Sequence, residues 1–206
     1  MPRQDFNEFL RLTKDGMNEH IDVYSWVNHR DYYLPFVKLC DNRTRLVIRQ
    51  TISKLPLGIW VDIFPLDGGP DRLSLERFKR QANALERKAS IPVTHYGPKK
   101  DYVWLVSVFL HWYYRIMGQS RYLKKISNMA EGFRFDQSEF VAALNGMDAR
   151  VYPGEWFGSP IEMRLGDETY AVMKDYDAFL RCVYGEYMQL PPEEERRPPQ
   201  IQSYWV

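Results

Sequence analysis

Cysteine is nearly missing from this 206-residue sequence: Cys40 and Cys182 stand alone and far apart. Two solitary thiols build neither a disulfide framework nor a metal-spaced cluster, and they point to a reducing compartment. An excess of one charge is also lacking. Lys plus Arg number 28 and Asp plus Glu 27, so the formal net charge of +1 offers no global basic field for nucleic acid. Long apolar runs are absent. The longest uncharged stretch, residues 102–114 (YVWLVSVFLHWYY), falls short of the roughly 20 residues a spanning helix requires. No apolar run follows a basic start, so no secretory signal is read and a cytoplasmic location is expected. The four histidines make no HExxH pair, and no GxSxG, Walker loop, GxGxxG or CxxC occurs.

What is present is a globular composition: 45% hydrophobic, 15% aromatic and 27% charged residues, which excludes a disordered chain. No repeat or long linker divides it, so residues 1–206 are expected to form a single domain. Phe6, Phe9, Leu10 and Thr13 fall on one helical face that Gly16 closes. Residues 45–52 (RLVIRQTI) and 58–64 (GIWVDIF) read as strands, the second ended by Pro65 and the loop 67–70. Three helical patterns follow: Leu75, Phe78, Ala82, Leu85 and Ala89; Tyr122, Ile126, Met129 and Phe133; and Tyr176, Phe179, Leu180, Val183 and Tyr184, with Gly185 placed as a C-cap. The expected class is α+β, a small sheet with several helices.

Asp62 is the most informative single residue. Strand alternation puts Trp60, Asp62 and Phe64 on one face and Ile59, Val61 and Ile63 on the other, so the carboxylate lies between two large aromatics. An ionised carboxylate beside an apolar layer needs a cation or several donors. A divalent metal with oxygen ligands meets that need, and so does an ion pair with an Arg. Asp67, just past the strand, precedes Gly68, where an Asp caps its own turn. The segment 102–114 sits between Lys99 and Lys100 on one side and Arg115, Arg121, Lys124 and Lys125 on the other. Its default reading is a buried helix with solvated ends; the alternative is contact with a membrane interface.

Several segments match one family in order. Residues 58–68 (GIWVDIFPLDG) resemble the central "DIFPLDG" motif of the LicD family, which covers lipopolysaccharide and teichoic-acid phosphorylcholine transferases and the related fukutin-type proteins. Residues 33–39 (YLPFVKL), followed by Thr44, are similar to the segment that precedes that motif. Tyr176-Asp177, Leu180 and residues 184–192 (YGEYMQLPP) resemble the family's "YD..L...YGDYM.LPP" ending, and residues 1–9 (MPRQDFNEF) its "M.R.DYE.F" stretch.

The resemblance implies a nucleotidyltransferase-like fold and transfer of phosphocholine, or a related phosphate-linked group, from CDP-choline or a similar CDP-activated donor. The implied acceptor is a cell-surface glycan or lipid-linked oligosaccharide. It implies carboxylates that hold Mg²⁺ or Mn²⁺, with Asp62 as the catalytic and metal-binding residue and Asp67, Thr44 and Lys38 as supporting positions. A place at the inner face of the membrane goes with such acceptors, and nucleic acid is not an expected partner. The pattern also departs from the family. The acidic "DDDID" run and the Gly-rich segment expected upstream of the M.R.DY stretch are not in this sequence. Arg196-Arg197 stand where relatives carry a His, and Arg164-Leu165-Gly166 where they carry FEG. The expectation is therefore the C-terminal portion of a LicD-like transferase, inactive alone. The alternatives are a non-catalytic or split-enzyme partner, or a membrane-surface adaptor through residues 102–125.

Overall fold

The computed structural model describes residues 1–47, 55–93, 102–145, 148, 150–196 and 202–206. It opens with helix α1 (Arg3–Leu12), followed by strands β1 (Ile21–Tyr24), β2 (Val37–Asp41), β3 (Thr44–Leu46), β4 (Trp60–Ile63) and β5 (Asp67–Gly68). Helices α2 (Arg72–Ser90), α3 (Tyr102–Met117) and α4 (Gln119–Met129) come next. Strands β6 (Phe140–Ala142), β7 (Tyr152–Pro153), β8 (Ile161–Leu165) and β9 (Glu168–Val172), helix α5 (Tyr176–Tyr184) and strand β10 (Ser203–Trp205) complete it. The class is α+β. In place of one small sheet, however, the described strands make four: β1-β2-β4, β10-β3, β5-β6-β7 and the β8-β9 hairpin.

The β1-β2-β4 sheet is antiparallel throughout and carries apolar residues on both faces. Val23, Val37 and the partly buried Ile63 meet Phe6 and Leu10 of α1 on one side. Tyr24, Cys40 and Trp60 meet Tyr32 and Leu57 on the other. Strand β4 lies at the sheet's edge, and Val61, with Ile59 just ahead of the strand, stays exposed, so the face expected to be apolar is only half covered. Gly58 lets β4 begin there: a Cβ at this position would run into the Asp41 carbonyl oxygen.

A second core lies between α2 and α4, where Ala82, Ala89, Leu123, Ile126 and Ala130 close around Leu144. Asp71 caps α2 by accepting a hydrogen bond from the Ser74 amide at 2.9 Å. The chain's first residues join this framework. The Met1 ammonium donates to the Phe64 carbonyl at 3.0 Å, Leu66 N–H to the Met1 carbonyl at 2.7 Å and Arg3 N–H to the Leu66 carbonyl at 3.1 Å. Residues 1–3 thus run beside the β4–β5 connection.

Two sequence expectations need adjustment, and a third holds. The strand expected over 45–52 is β3, Thr44–Leu46, paired with β10; the rest of that stretch, residues 48–54, lies outside the described residues. The segment 102–114 is helical as expected, but it is not buried: Leu105, Phe109 and Trp112 are all exposed. Lys99 and Lys100 lie outside the described residues. The last helix ends as expected at Gly185, whose φ of 69° is a left-handed conformation that a side chain would strain.

Candidate functional site

Asp62 and Lys38 are directly opposite each other on β4 and β2, and register brings their side chains together. Lys38 Nζ donates to Asp62 Oδ1 at 2.6 Å. The ammonium also lies 4.0 Å from the Trp60 ring centroid and 5.3 Å from that of Phe36, so two aromatic faces help hold a nearly buried cation. Beneath them the Tyr32 hydroxyl is buried without a hydrogen-bond partner. Burial, and secondarily the Asp62 charge, drives its pKa far above that of an ordinary phenol. The cation expected beside Asp62 is present, and it is a lysine rather than an arginine.

The other two expected supporting residues serve the framework. Thr44 Oγ1 donates to the Asp41 carbonyl at 2.8 Å and accepts from Ile59 N–H at 2.8 Å, tying the start of β4 to the β2–β3 turn. Asp67 does not cap its own turn. It is fully buried and accepts a two-pronged pair of hydrogen bonds from Arg3, Nε to Oδ1 at 2.6 Å and Nη2 to Oδ2 at 2.7 Å. Asp62 and Asp67 therefore have different cationic partners and form no paired carboxylate. Among the described residues no three His, Cys, Asp or Glu side chains gather as a metal would require. Asp62 alone, with a lysine on one of its oxygens, does not fit as the donor set of a Mg²⁺ or Mn²⁺ ion.

Sequence reasoning missed a second constellation nearby. Past Asp62, Phe64 packs its ring 4.5 Å from that of Phe36 and then lines a cavity of about 390 Å³. The cavity's other walls come from Tyr152 of β7, Phe157 in the following 3₁₀ turn, and Phe179 and Tyr184 of α5. Ring centroids of Tyr152 and Phe179 are 5.1 Å apart, and those of Phe157 and Phe179 5.9 Å. On the polar side lie Asp148 and Arg150. Asp148 Oδ2 accepts from the Tyr152 hydroxyl at 2.5 Å, while Oδ1 accepts from the Arg150 amide at 3.0 Å. Burial, and next the Asp148 carboxylate, raises the Tyr152 pKa, so this hydroxyl remains a donor. Arg150 Nη2 donates to the Val183 carbonyl at 3.0 Å, joining this rim to α5.

A lysine inside the fold holds the rim from behind. Lys79 of α2 donates to the carbonyls of Ala143 (2.7 Å) and Asp148, and its burial lowers its pKa despite the Asp148 charge. Aromatic faces opposite one carboxylate and one guanidinium can receive a ligand carrying a soft cation and an anion together. One sequence signal pointed here: Asp148, Arg150 and Tyr152 recur at every second residue, the spacing that puts side chains on one face of an extended chain.

No family model matches the chain. Over its whole length it is similar to the lipopolysaccharide cholinephosphotransferase LicD of Haemophilus influenzae, at 22% identity across 215 aligned residues, covering 78% of that protein. No solved structure matches the chain. In this chain the segment 58–68 supplies both an edge-strand carboxylate held by a lysine and, through Phe64, one wall of the aromatic cavity.

Proposed function

We propose that this chain is a choline-phosphate transferase of LicD type, moving phosphocholine from a CDP-activated donor onto a hydroxyl of a surface glycan. The observation that carries this reading is similarity along the whole chain to a protein named for that activity. The cavity at Tyr152 supports it. The trimethylammonium group of phosphocholine is a soft cation that binds to aromatic faces, here those of Tyr152, Phe157, Phe179 and Tyr184, with Asp148 supplying charge. Arg150 is the group suited to the phosphate.

Asp62 is the proposed catalytic carboxylate. Its side chain keeps 21% of its exposure, so an acceptor hydroxyl can reach it while Lys38 holds it in orientation. The acceptor oxygen forms a bond to phosphorus and the bond from phosphorus to the cytidylate oxygen breaks. Asp62 takes the hydroxyl proton, and cytidine monophosphate departs. The nucleotidyltransferase-like fold belongs to the same proposal.

The test is release of cytidine monophosphate from CDP-choline by the full chain in the presence of lipopolysaccharide, followed alongside choline incorporation into the glycan. Asp62→Asn is expected to lower the rate by 10²–10⁴-fold, the usual contribution of a general base. Transfer that proceeds unchanged in this variant would remove Asp62 from the chemistry. Transfer of another phosphate-linked group in place of phosphocholine would overturn the donor.

A further inference from the structure

Helix α3 turns its apolar side outward. Tyr102, Leu105, Phe109, Trp112, Tyr113 and Ile116 recur at three- and four-residue spacing along one face. All are exposed: Phe109 keeps 68%, Trp112 60% and Ile116 75% of its surface. The helix packs by its other side, against the 3₁₀ turn Ile91–Val93 and α4, with the Tyr114 and Tyr122 ring centroids 5.7 Å apart. A helix facing water carries its charges outward, whereas a contiguous apolar face of this kind marks an interface.

Charge indicates what covers it. From residue 102 to residue 130 the chain holds Arg115, Arg121, Lys124 and Lys125 and no Asp or Glu. At the α3–α4 junction, Arg30, Arg121 and Lys124 surround a depression of about 800 Å³ that includes Gly118 and Gln119. Arg115 and Arg30 also border an adjoining depression, where Asp31 is the carboxylate among the lining residues. Helix α4 starts here with no acidic residue in its first turn and no side-chain cap, so its N-terminal dipole adds to the positive potential. A second copy docked on the same face would set these cations against their own counterparts, an arrangement that like-charge repulsion disfavours. An anionic bilayer complements both features. Tyr and Trp rings seat at the boundary between headgroups and acyl chains, and Lys and Arg meet the phosphates. Among the described residues no helix is long and apolar enough to cross a membrane, so α3 would lie along the surface.

We infer that α3 is a membrane-docking helix that lies in the plane of an anionic lipid surface, its apolar face inserted and the basic α3–α4 junction on the lipid phosphates. This inference does not depend on the transferase reading. The test is co-sedimentation of the full chain with phosphatidylcholine vesicles, with and without about one third phosphatidylglycerol, over a range of salt. Binding is expected to the anionic vesicles and to weaken as salt rises. The double variant Arg121→Gln/Lys124→Gln should lower the partition about 30-fold, from the contribution of two cations near the surface. Phe109→Ser/Trp112→Ser should abolish binding while leaving the circular dichroism unchanged, because both side chains are exposed. A wild-type chain that stays in the supernatant with anionic vesicles at low salt would overturn the inference. So would a dimer, seen by light scattering, that Phe109→Ser/Trp112→Ser converts to monomer without any vesicle binding by the wild type.

Discussion

Replacing Arg3 by Met would strand Asp67, and the structure sets the scale of the loss. Both side chains are essentially out of water, at 7% and 0% exposure, and the guanidinium satisfies both carboxylate oxygens. Arg3 also lies 5.4 Å over the Phe6 ring, and its amide pairs with Leu66, so the backbone geometry survives the substitution. What is lost is the compensation for a buried charge, which costs about 3–5 kcal/mol when one partner is removed. For a chain of 206 residues each kcal/mol moves the melting temperature by about 2–4 °C, so a fall of about 6–20 °C is expected by scanning calorimetry. The double variant Arg3→Met/Asp67→Leu removes both charges and should recover most of the loss, since an apolar pair of similar volume is nearly neutral in such sites. An Arg3→Met variant that loses less than about 1 kcal/mol, as a solvent-exposed pair would, refutes the reasoning. So would a double variant no more stable than the single one.

Two further outcomes follow from titration. His29 stacks on Tyr24 with ring centroids 4.4 Å apart, and burial holds its imidazole below the ordinary value of 6.5, against the pull of Asp22. The unfolded chain takes up this proton first as pH falls, so the His29 contribution is complete above 6.5 and is lost as pH drops through the folded pKa. Urea midpoints should fall between about pH 7.5 and about pH 5, and His29→Phe, which keeps the stacking, should flatten that slope; an unchanged slope would contradict the assignment. Cys40 is buried and its thiol is pushed up to about 11 by burial, whereas Cys182 is exposed. A thiol reagent should therefore label one cysteine per native chain, at Cys182, with Cys40 reacting only on unfolding; peptide mapping that finds Cys40 labelled first would be the contrary result.

Elements that rest on local periodicity could be read from the residues. The spacing of Leu75 to Ala89 marks α2, and the glycine after Tyr184 marks where α5 stops, because each depends on neighbours within a turn or two. Alternation alone put Asp62 beside Trp60 and demanded a cation there. Its identity as Lys38 is a matter of strand register, which pairs residues 24 apart. Asp67 could not be read correctly, since its partner is 64 residues away and Asp-Gly is also a good turn sequence. The outward face of α3 was ambiguous for a related reason: an apolar stripe has the same pattern whether it meets a core or another phase. The cavity was hidden because its walls come from β7, α5 and the segment after β4, which only the tertiary fold assembles.

The most direct test of the account is calorimetric titration of the full chain with phosphocholine, beside Arg150→Gln and Tyr184→Ser. These substitutions fall on exposed side chains that the fold does not need for its core. Saturable binding of one phosphocholine per chain is expected. Affinity should be roughly 10- to 100-fold weaker in Arg150→Gln, from loss of a charge-assisted hydrogen bond, with a smaller loss in Tyr184→Ser, from one aromatic face. Binding that is equally tight in both variants would place phosphocholine elsewhere, and no binding by the wild-type chain would contradict the cavity's assignment outright.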